Sequence, residues 1–423
     1  MIVHSVYNFL KVKVLAAAAL VAALACPAAA GQLPSEPIVA AGGRLTVSGD
    51  VSATMSCAHA NTPPNAAACT PDTGFFNYTD YKYSALRLFR VDLIANVKAT
   101  RRLAVLAEVR SENAGTPSPY GLYLRIKPWL AHDFDIQVGR VPPTFGAFAR
   151  RSYASDNLLI GYPLAYQYLT SLRPDALPAN ADELLRMRGR GWQSQFSVGN
   201  TVAEPGMPLI SALHWDTGVQ LHTAASWGDF AASITNGTLA NPLVSDDNGG
   251  KQVAARGTLR PVPGLIIGAS AARGPFVTTH AGEAAGVAAP NSHFTQTAVG
   301  ADVEYSRGYY LVRAEAILSA WRVPEIAAPY IDAPLRADSI MVEGRYKIRP
   351  GLYAAARVDH LGFSTVTGTG RTDSWDAPVI REEVGGGYSI QRNLQLKMSY
   401  QHNSRAGGRT KENVSSAQLV FWF

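Results

Sequence analysis

From residue 44 onward, apolar and polar residues alternate over stretches of about ten residues, and such stretches recur sixteen times. A period of two is the strand period, in which successive side chains point to opposite faces. Residues 84–99 place Phe89, Val91, Leu93, Ala95 and Val97 on one face and Arg90, Asp92, Asn96 and Lys98 on the other. Residues 103–113 set Leu103, Val105, Ala107 and Val109 against Glu108 and Arg110, and residues 119–129 set Leu122, Leu124 and Ile126 against Tyr123, Arg125 and Lys127. With 44–56, the pattern predicts further strands near 133–141, 215–226, 228–238, 250–260, 264–274, 294–306, 309–321, 338–348, 352–361, 378–390, 394–403 and 413–423.

The connections alternate in length. Brief turns such as Trp227, Arg307-Gly308 and Gln391-Arg392-Asn393 follow the even-numbered strands. The odd-numbered strands lead into longer stretches, 57–83 and 142–214 above all. An even strand count with short turns at one end and long loops at the other is what a transmembrane antiparallel barrel shows. A β-sandwich or secreted β-helix would share the period, but sandwich strands average about 5–6 residues, whereas about 9–11 are needed to cross a bilayer at a tilt. Aromatic residues near strand ends, Tyr305, Tyr310, Trp321, Tyr346, Tyr388 and Tyr400, form the expected interfacial girdle.

Composition narrows the choice. Hydrophobic residues make up 47% of the 423 residues and charged residues 17%, which excludes a disordered chain. After residue 30 no uncharged apolar run approaches the ~20 residues of a spanning helix. Residues 1–30 read as a secretory signal peptide: Lys11 and Lys13, then the apolar Val14 to Ala25, then Ala28-Ala29-Ala30 at the cleavage site. Cys26 is a poor lipoprotein site, with Ala23 before it and Pro27 directly after. Cleavage lowers the net charge of +6 by two and leaves residues 31–423 as the barrel. So mild and dispersed a charge argues against a nucleic-acid partner. Of the three cysteines, Cys26 leaves with the leader. Cys57 and Cys69 then form a disulfide across one loop, as export to an oxidising compartment allows.

The last predicted strand runs Ala417-Gln418-Leu419-Val420-Phe421-Trp422-Phe423. It resembles the C-terminal signal of bacterial outer-membrane barrels, which in that family is read by the barrel-assembly machinery. The stretch Gln137 to Gly146, Thr235-Asn236-Gly237, Ala356 to Leu361 and Arg381 to Tyr388 resemble the phosphate-selective porin O/P-like superfamily. The chain lacks that group's dense Arg/Lys ladder. The resemblance implies an outer-membrane channel in contact with lipid and lipopolysaccharide, assembled as a homotrimer, with its third external loop folded into the lumen.

At sixteen strands a barrel is wide enough for an aqueous lumen. By parity the inward cations are Arg90, Lys98, Arg110, Arg125, Lys127, Arg313, Arg345, Lys347, Arg357, Arg381 and Lys397. The inward acids are Asp92, Glu108, Asp135, Asp302, Glu304, Glu315, Glu343, Asp359 and Glu383. The small excess of cations predicts a weak preference for anions, although many of these charges will pair across strands. Arg90, Arg345 and Arg357 are expected to line the pore, with Arg110, Arg125 and Lys127 as a basic wall. The third external loop, 142–214, is the predicted constriction. There Arg150 and Arg151 would attract anions, unless they face lipopolysaccharide or open water.

An enzyme is not expected, and neither is a cofactor or metal. The His residues are scattered, Asp359 and His360 point to opposite faces, and no Gly-x-Ser-x-Gly or His-Glu-x-x-His appears. Asp246 to Gly250 reads as a turn. Three functions stay open: passive diffusion of small hydrophilic solutes, a channel specific for a phosphate-like anion or sugar, and a non-conducting surface anchor or adhesin.

Overall fold

Sixteen alternating stretches become sixteen strands. The computed structural model describes residues 34–60, 89–113, 115–148, 153–212, 215–287, 293–406 and 411–423. The predicted leader, Cys69, Arg150 and Arg151 lie outside them. Numbered around the barrel, the strands begin with β1 (Leu45–Ala60), β2 (Phe89–Lys98), β3 (Leu103–Glu112), β4 (Ser118–Ile126) and β5 (Phe134–Val141). They continue with β6 (Asp216–Ala225), β7 (Gly228–Thr235), β8 (Gln252–Leu259), β9 (Leu265–Pro275), β10 (Thr295–Arg307) and β11 (Tyr310–Trp321). The last five are β12 (Leu335–Arg349), β13 (Leu352–Phe363), β14 (Val379–Gln391), β15 (Leu394–Arg405) and β16 (Lys411–Trp422).

Each strand pairs antiparallel with its neighbours in sequence, and β16 closes the ring on β1 from Asp50↔Trp422 to Ala60↔Glu412. Closure satisfies the backbone donors and acceptors that an open sheet edge would expose to lipid. Beside it a short strand, Ile38–Ala40, folds back on the start of β1.

The outward face is mostly apolar: Leu93 (45%), Phe230 (49%), Leu318 (59%) and Val358 (52%) stand exposed, with Asp338, His360, Glu382, His402 and Asn413 as polar exceptions on β12–β16. A belt of exposed apolar residues is an anomaly in water and the natural surface of a barrel in lipid. Tyr305, Tyr310, Tyr346 and Tyr388 stand exposed at the short-turn end, as expected of a girdle. Trp321 does not belong to it. It faces inward at the outer end of β11, fully buried, with its ring 5.8 Å from that of Trp375. Alternation places Trp321 on the same face as Glu315, Ile317 and Ser319, and that parity overrules its position near a strand end.

Candidate functional site: the lumen and the segment across it

The chain leaves the wall at Val141 and rejoins it at Asp216. Its described part, 142–148 and 153–212, lies inside the barrel. It divides into a strap up to residue 163 and a cap from 164 to 212. The cap holds two short helices, α1 (Leu164–Gln167) and α2 (Ala181–Met187), and a pair of two-residue strands, Ala176–Leu177 and Val198–Gly199. Around Trp192 to Val198, where the sequence left room for another barrel strand, only Val198 enters a strand, and it pairs within the cap.

The cap is held by apolar burial. Leu164, Tyr166, Leu172, Leu184, Phe196 and Ile210 share one core with Leu239, Phe276, Trp321, Val323, Phe363 and Trp375 from the outer connections and strand ends. Burying each such side chain is worth about 1.5–3 kcal/mol, so the cap is welded to the outer mouth. Its helix α2 is capped locally: the Asn180 side chain accepts from the Glu183 N–H at 3.0 Å, and the Glu183 carboxylate accepts from the Ala179 N–H at 2.7 Å. Asp376, buried in the connection between β13 and β14, accepts from the backbone N–H groups of Ser171 (2.6 Å) and Gly189 (2.9 Å).

The strap shares that core through Phe145, Phe148 and Ile160, and charged and polar groups of the wall add a second set of ties. The carboxylates accept from its N–H groups: Glu315 from Ala147 at 2.6 Å, Asp50 from Ser155 at 2.9 Å and Glu383 from Gly161 at 3.2 Å. The donors take its carbonyls. Lys397 donates to Ala154 and Asn157, Arg357 to Gly161, Arg381 to Tyr162 at 2.8 Å, and the Tyr353 hydroxyl to Leu158 at 2.9 Å. The Tyr153 hydroxyl donates to Glu108 at 2.6 Å and Arg90 donates to the Tyr162 hydroxyl. These ties reach β1, β2, β3, β11, β13, β14 and β15. Thr144 of the strap also donates to Ser233 of β7 at 2.8 Å and the Gly146 N–H to Ser270 of β9 at 3.1 Å, and in the cap the Leu209 carbonyl accepts from Gln296 of β10 at 2.9 Å.

The inward charges read from parity do face inward, but most are spent on one another. Arg90 and Arg110 share Asp92 at 2.6 and 2.5 Å. Arg125 pairs with Asp135 at 2.7 Å, and Lys127 with Asp133 at 3.2 Å. The expected basic wall is therefore balanced residue by residue. Arg357 lies among Glu343, Asp359 and Glu383, and Arg313 between Glu304 and Glu343. Arg345 faces inward on β12 and lies 5.9 Å from the Tyr353 ring centre. Asp92, Arg357, Arg381 and Glu383 are almost without solvent contact. A buried charge without a partner costs several kcal/mol, so the strap and the wall need each other.

Sequence reasoning missed Arg256. It is inward on β8 and pairs with Asp302 at 2.6 Å; the alternation Gln252, Ala254, Arg256, Thr258 carried the signal. It also missed Asp50 and Asp376, whose partners are backbone groups remote in sequence. Of the scattered histidines, His222 lies 3.6 Å from Asp135, and His360 faces outward, 3.6 Å from Asp338. Asp246 accepts from the Asn248 and Gly249 N–H groups, as a turn does. Among the described residues no group of three His, Cys, Asp or Glu converges as metal ligands.

No protein-family model matches the sequence, and no curated protein matches it. Solved structures do match in fold. Outer-membrane expressed OmpT of Vibrio cholerae is 12% identical, with 91% of this chain and 100% of that one covered and a TM-score of 0.53. An anion-selective porin from Comamonas acidovorans is 8% identical over 90% and 99%, with a TM-score of 0.52. Salmonella typhi OmpF, solved with daunomycin, is 11% identical over 90% and 97%, with a TM-score of 0.51. The chain thus has the fold of bacterial outer-membrane porins: a closed, sixteen-stranded antiparallel barrel with its third long connection turned inward.

Proposed function

We propose that the protein is an outer-membrane channel for small hydrophilic solutes, narrowed at mid-height by the strap. The observation that carries this reading is the lumen wall: a sixteen-stranded ring whose inner face at mid-height is charged and polar, and which grips the strap crossing it through hydrogen bonds. A barrel serving only as a scaffold has no need of a charged inner face, because apolar side chains fill a lumen at lower cost. Weak anion preference is the finer part of the proposal. Lys98, Arg345 and Lys347 face the inner mouth, and among the described residues none of them has an ion-pair partner. A phosphate ladder finds less support, since the cations of the wall are mostly matched by acids.

A second reading, a non-conducting surface barrel, draws on the burial of Asp92, Arg357 and Glu383. Planar-bilayer recording of the refolded mature chain separates the two. The channel reading expects small discrete steps, a reversal potential displaced toward anions under a salt gradient, and larger steps when Lys397→Met and Arg381→Met remove the grip on the strap. Silence from correctly inserted barrels, parent and variant alike, leaves only the anchor.

Two further features belong to the same proposal. Cys57, which is disulfide-bonded, pairs with Cys69 and ties down the first external loop; mass measurement before and after reduction tests the pair. The barrel also assembles as a homotrimer. Glu382 faces His402 across the outward side of β14 and β15, and His402 is 2.6 Å from the outward Asn413. A polar strip inside the lipid belt is poorly solvated by acyl chains and better covered by a second copy.

A further inference from the structure

Two pairs of metal-ligating side chains stand on the outward face of the wall, where apolar residues are the rule. Asp338 on β12 and His360 on β13 form one pair, and Glu382 on β14 and His402 on β15 the other. His360 Nε2 and Asp338 Oδ2 are 3.6 Å apart. That is too far for a hydrogen bond. It is close to the ~3.4 Å between two ligands that each lie about 2.1 Å from a tetrahedral ion. Glu382 and His402 are direct cross-strand partners, which puts their Cβ atoms roughly 5 Å apart. His402 Nδ1 lies 2.6 Å from Asn413 Oδ1. An amide oxygen only accepts, so Nδ1 carries the proton and Nε2 keeps its lone pair for a ligand.

Neither pair suffices alone. Among the described residues no three His, Cys, Asp or Glu of one chain converge, whereas a closed zinc site takes four ligands. The two groups are spaced as a three-fold assembly requires. Asp338 and His360 centre between β12 and β13, and Glu382, His402 and Asn413 centre on β15. That separation is two and a half strand spacings, about 56° around a ring of sixteen. Around a three-fold axis each barrel meets its two neighbours in directions about 60° apart.

Their heights agree as well. Hydrogen-bonded rows climb toward the long-loop end from strand to strand. The row through Val105, the third residue of β3, reaches Arg336, the second residue of β12. At about 4.8 Å between strands and ~40° of tilt, each strand adds ~3 Å of height and each residue along a strand ~2.5 Å. Asp338, His360, Glu382 and His402 then lie within about 4 Å of one level. Rotation about an axis normal to the membrane preserves that level, so one copy's first pair meets the next copy's second pair. Ile340 and Ile380 flank His360, and Val358 flanks Glu382. All three are exposed, and packed against a neighbour they keep water from the junction.

We propose that adjacent copies share a zinc-class divalent metal site, one ion per junction, held by Asp338 and His360 of one copy and Glu382 and His402 of the next. Two imidazoles and two carboxylates are ligands that such an ion accepts in tetrahedral array, and Asn413 orients His402 behind it. The site rests on the reading of the barrel as a homotrimer and is indifferent to whether the lumen conducts.

The test combines native mass spectrometry and visible absorption on the refolded full chain in detergent, stripped with EDTA and then given Zn2+ or Co2+. One zinc ion per protomer is expected in the trimer, and Co2+ should give the strong visible bands of a tetrahedral ion. The variants D338N/H360Q and E382Q/H402Q should each lose at least about tenfold in zinc affinity, and the cobalt bands with it. Refolding the two variants together should restore the bands, because mixed trimers bring one variant's intact pair against the other's. Trimers that take up no zinc, variants that bind it as tightly as the parent, or a co-refolded mixture as colourless as its components overturn the site and leave the homotrimer standing. Chains that stay monomeric at every metal concentration overturn both. Heat-modifiable migration of each variant confirms that a folded barrel is being compared.

Discussion

Arg173 and Asp175 lie two residues apart in the cap and form a two-pronged pair, Nε to Oδ1 at 3.0 Å and Nη2 to Oδ2 at 2.8 Å. Asn200 donates to the same carboxylate at 2.8 Å. Burial alone would raise the Asp175 pKa, but the donors from Arg173 and Asn200 outweigh it and hold the carboxyl below its ordinary range. A depressed pKa stabilises the folded state above the unfolded value, near 3.9 for Asp, and that contribution disappears as pH falls through the lower folded value. Acid is therefore expected to loosen the Asp175–Asn200 region first, seen as faster amide exchange there below about pH 4. Asp175→Asn should flatten the response. Arg173, whose side chain is fully buried, is the more costly loss: Arg173→Ala should destabilise the cap by about 3 kcal/mol, read as proteolytic nicking within 190–205. The sequence lists Arg173 among several loop cations, and nothing in its spacing separates it from Arg186, which is exposed on α2. Parity sorts wall residues because the period is fixed. A loop has no period, so only tertiary contact reveals which of its charges are interior.

The same contrast holds for elements. All sixteen strands are legible because each carries its own two-faced pattern, complete within about ten residues, and most wall charges come with it, Arg256 and Asp50 excepted. The inward course of 142–212 is legible only from its length and a resemblance. Its division into strap and cap is not, since the Glu315, Glu383 and Lys397 contacts join residues far apart in sequence. Gly206 tests the cap as an element. A Cβ there would lie 1.9 Å from the Thr170 carbonyl oxygen and 2.9 Å from that of Leu172, both backbone atoms. Gly206→Ala is expected to separate the 168–172 and 206–210 stretches, exposing Tyr168 and Met207 to solvent. Tryptophan and tyrosine fluorescence should shift, while heat-modifiable migration, which reports the strands, stays as in the parent. A cap that tolerates the alanine without spectral change would mean these two stretches do not pack as a unit.

At the scale of the whole molecule, the polar strip of Glu382, His402 and Asn413 predicts how copies meet. Glu382→Leu with His402→Leu should leave the barrel folded and shift the population toward monomer in native electrophoresis, if a second copy covers that strip. Closure of the ring is a second whole-molecule property. Gly49 exchanges both backbone hydrogen bonds with Phe423 at 3.0 Å, and a Cβ on Gly49 would meet the Phe423 ring at 2.6 Å. Gly49→Val is expected to slow the appearance of the compact electrophoretic form during refolding, with little effect once the ring has shut. The pairing of β1 with β16 also sets a timetable. The earliest strand made waits for the latest, so no fraction of the barrel can be finished while the rest is still being exported. Any sheet formed before that closure would present unpaired donors and acceptors along two edges, the kind of edge that recruits other chains.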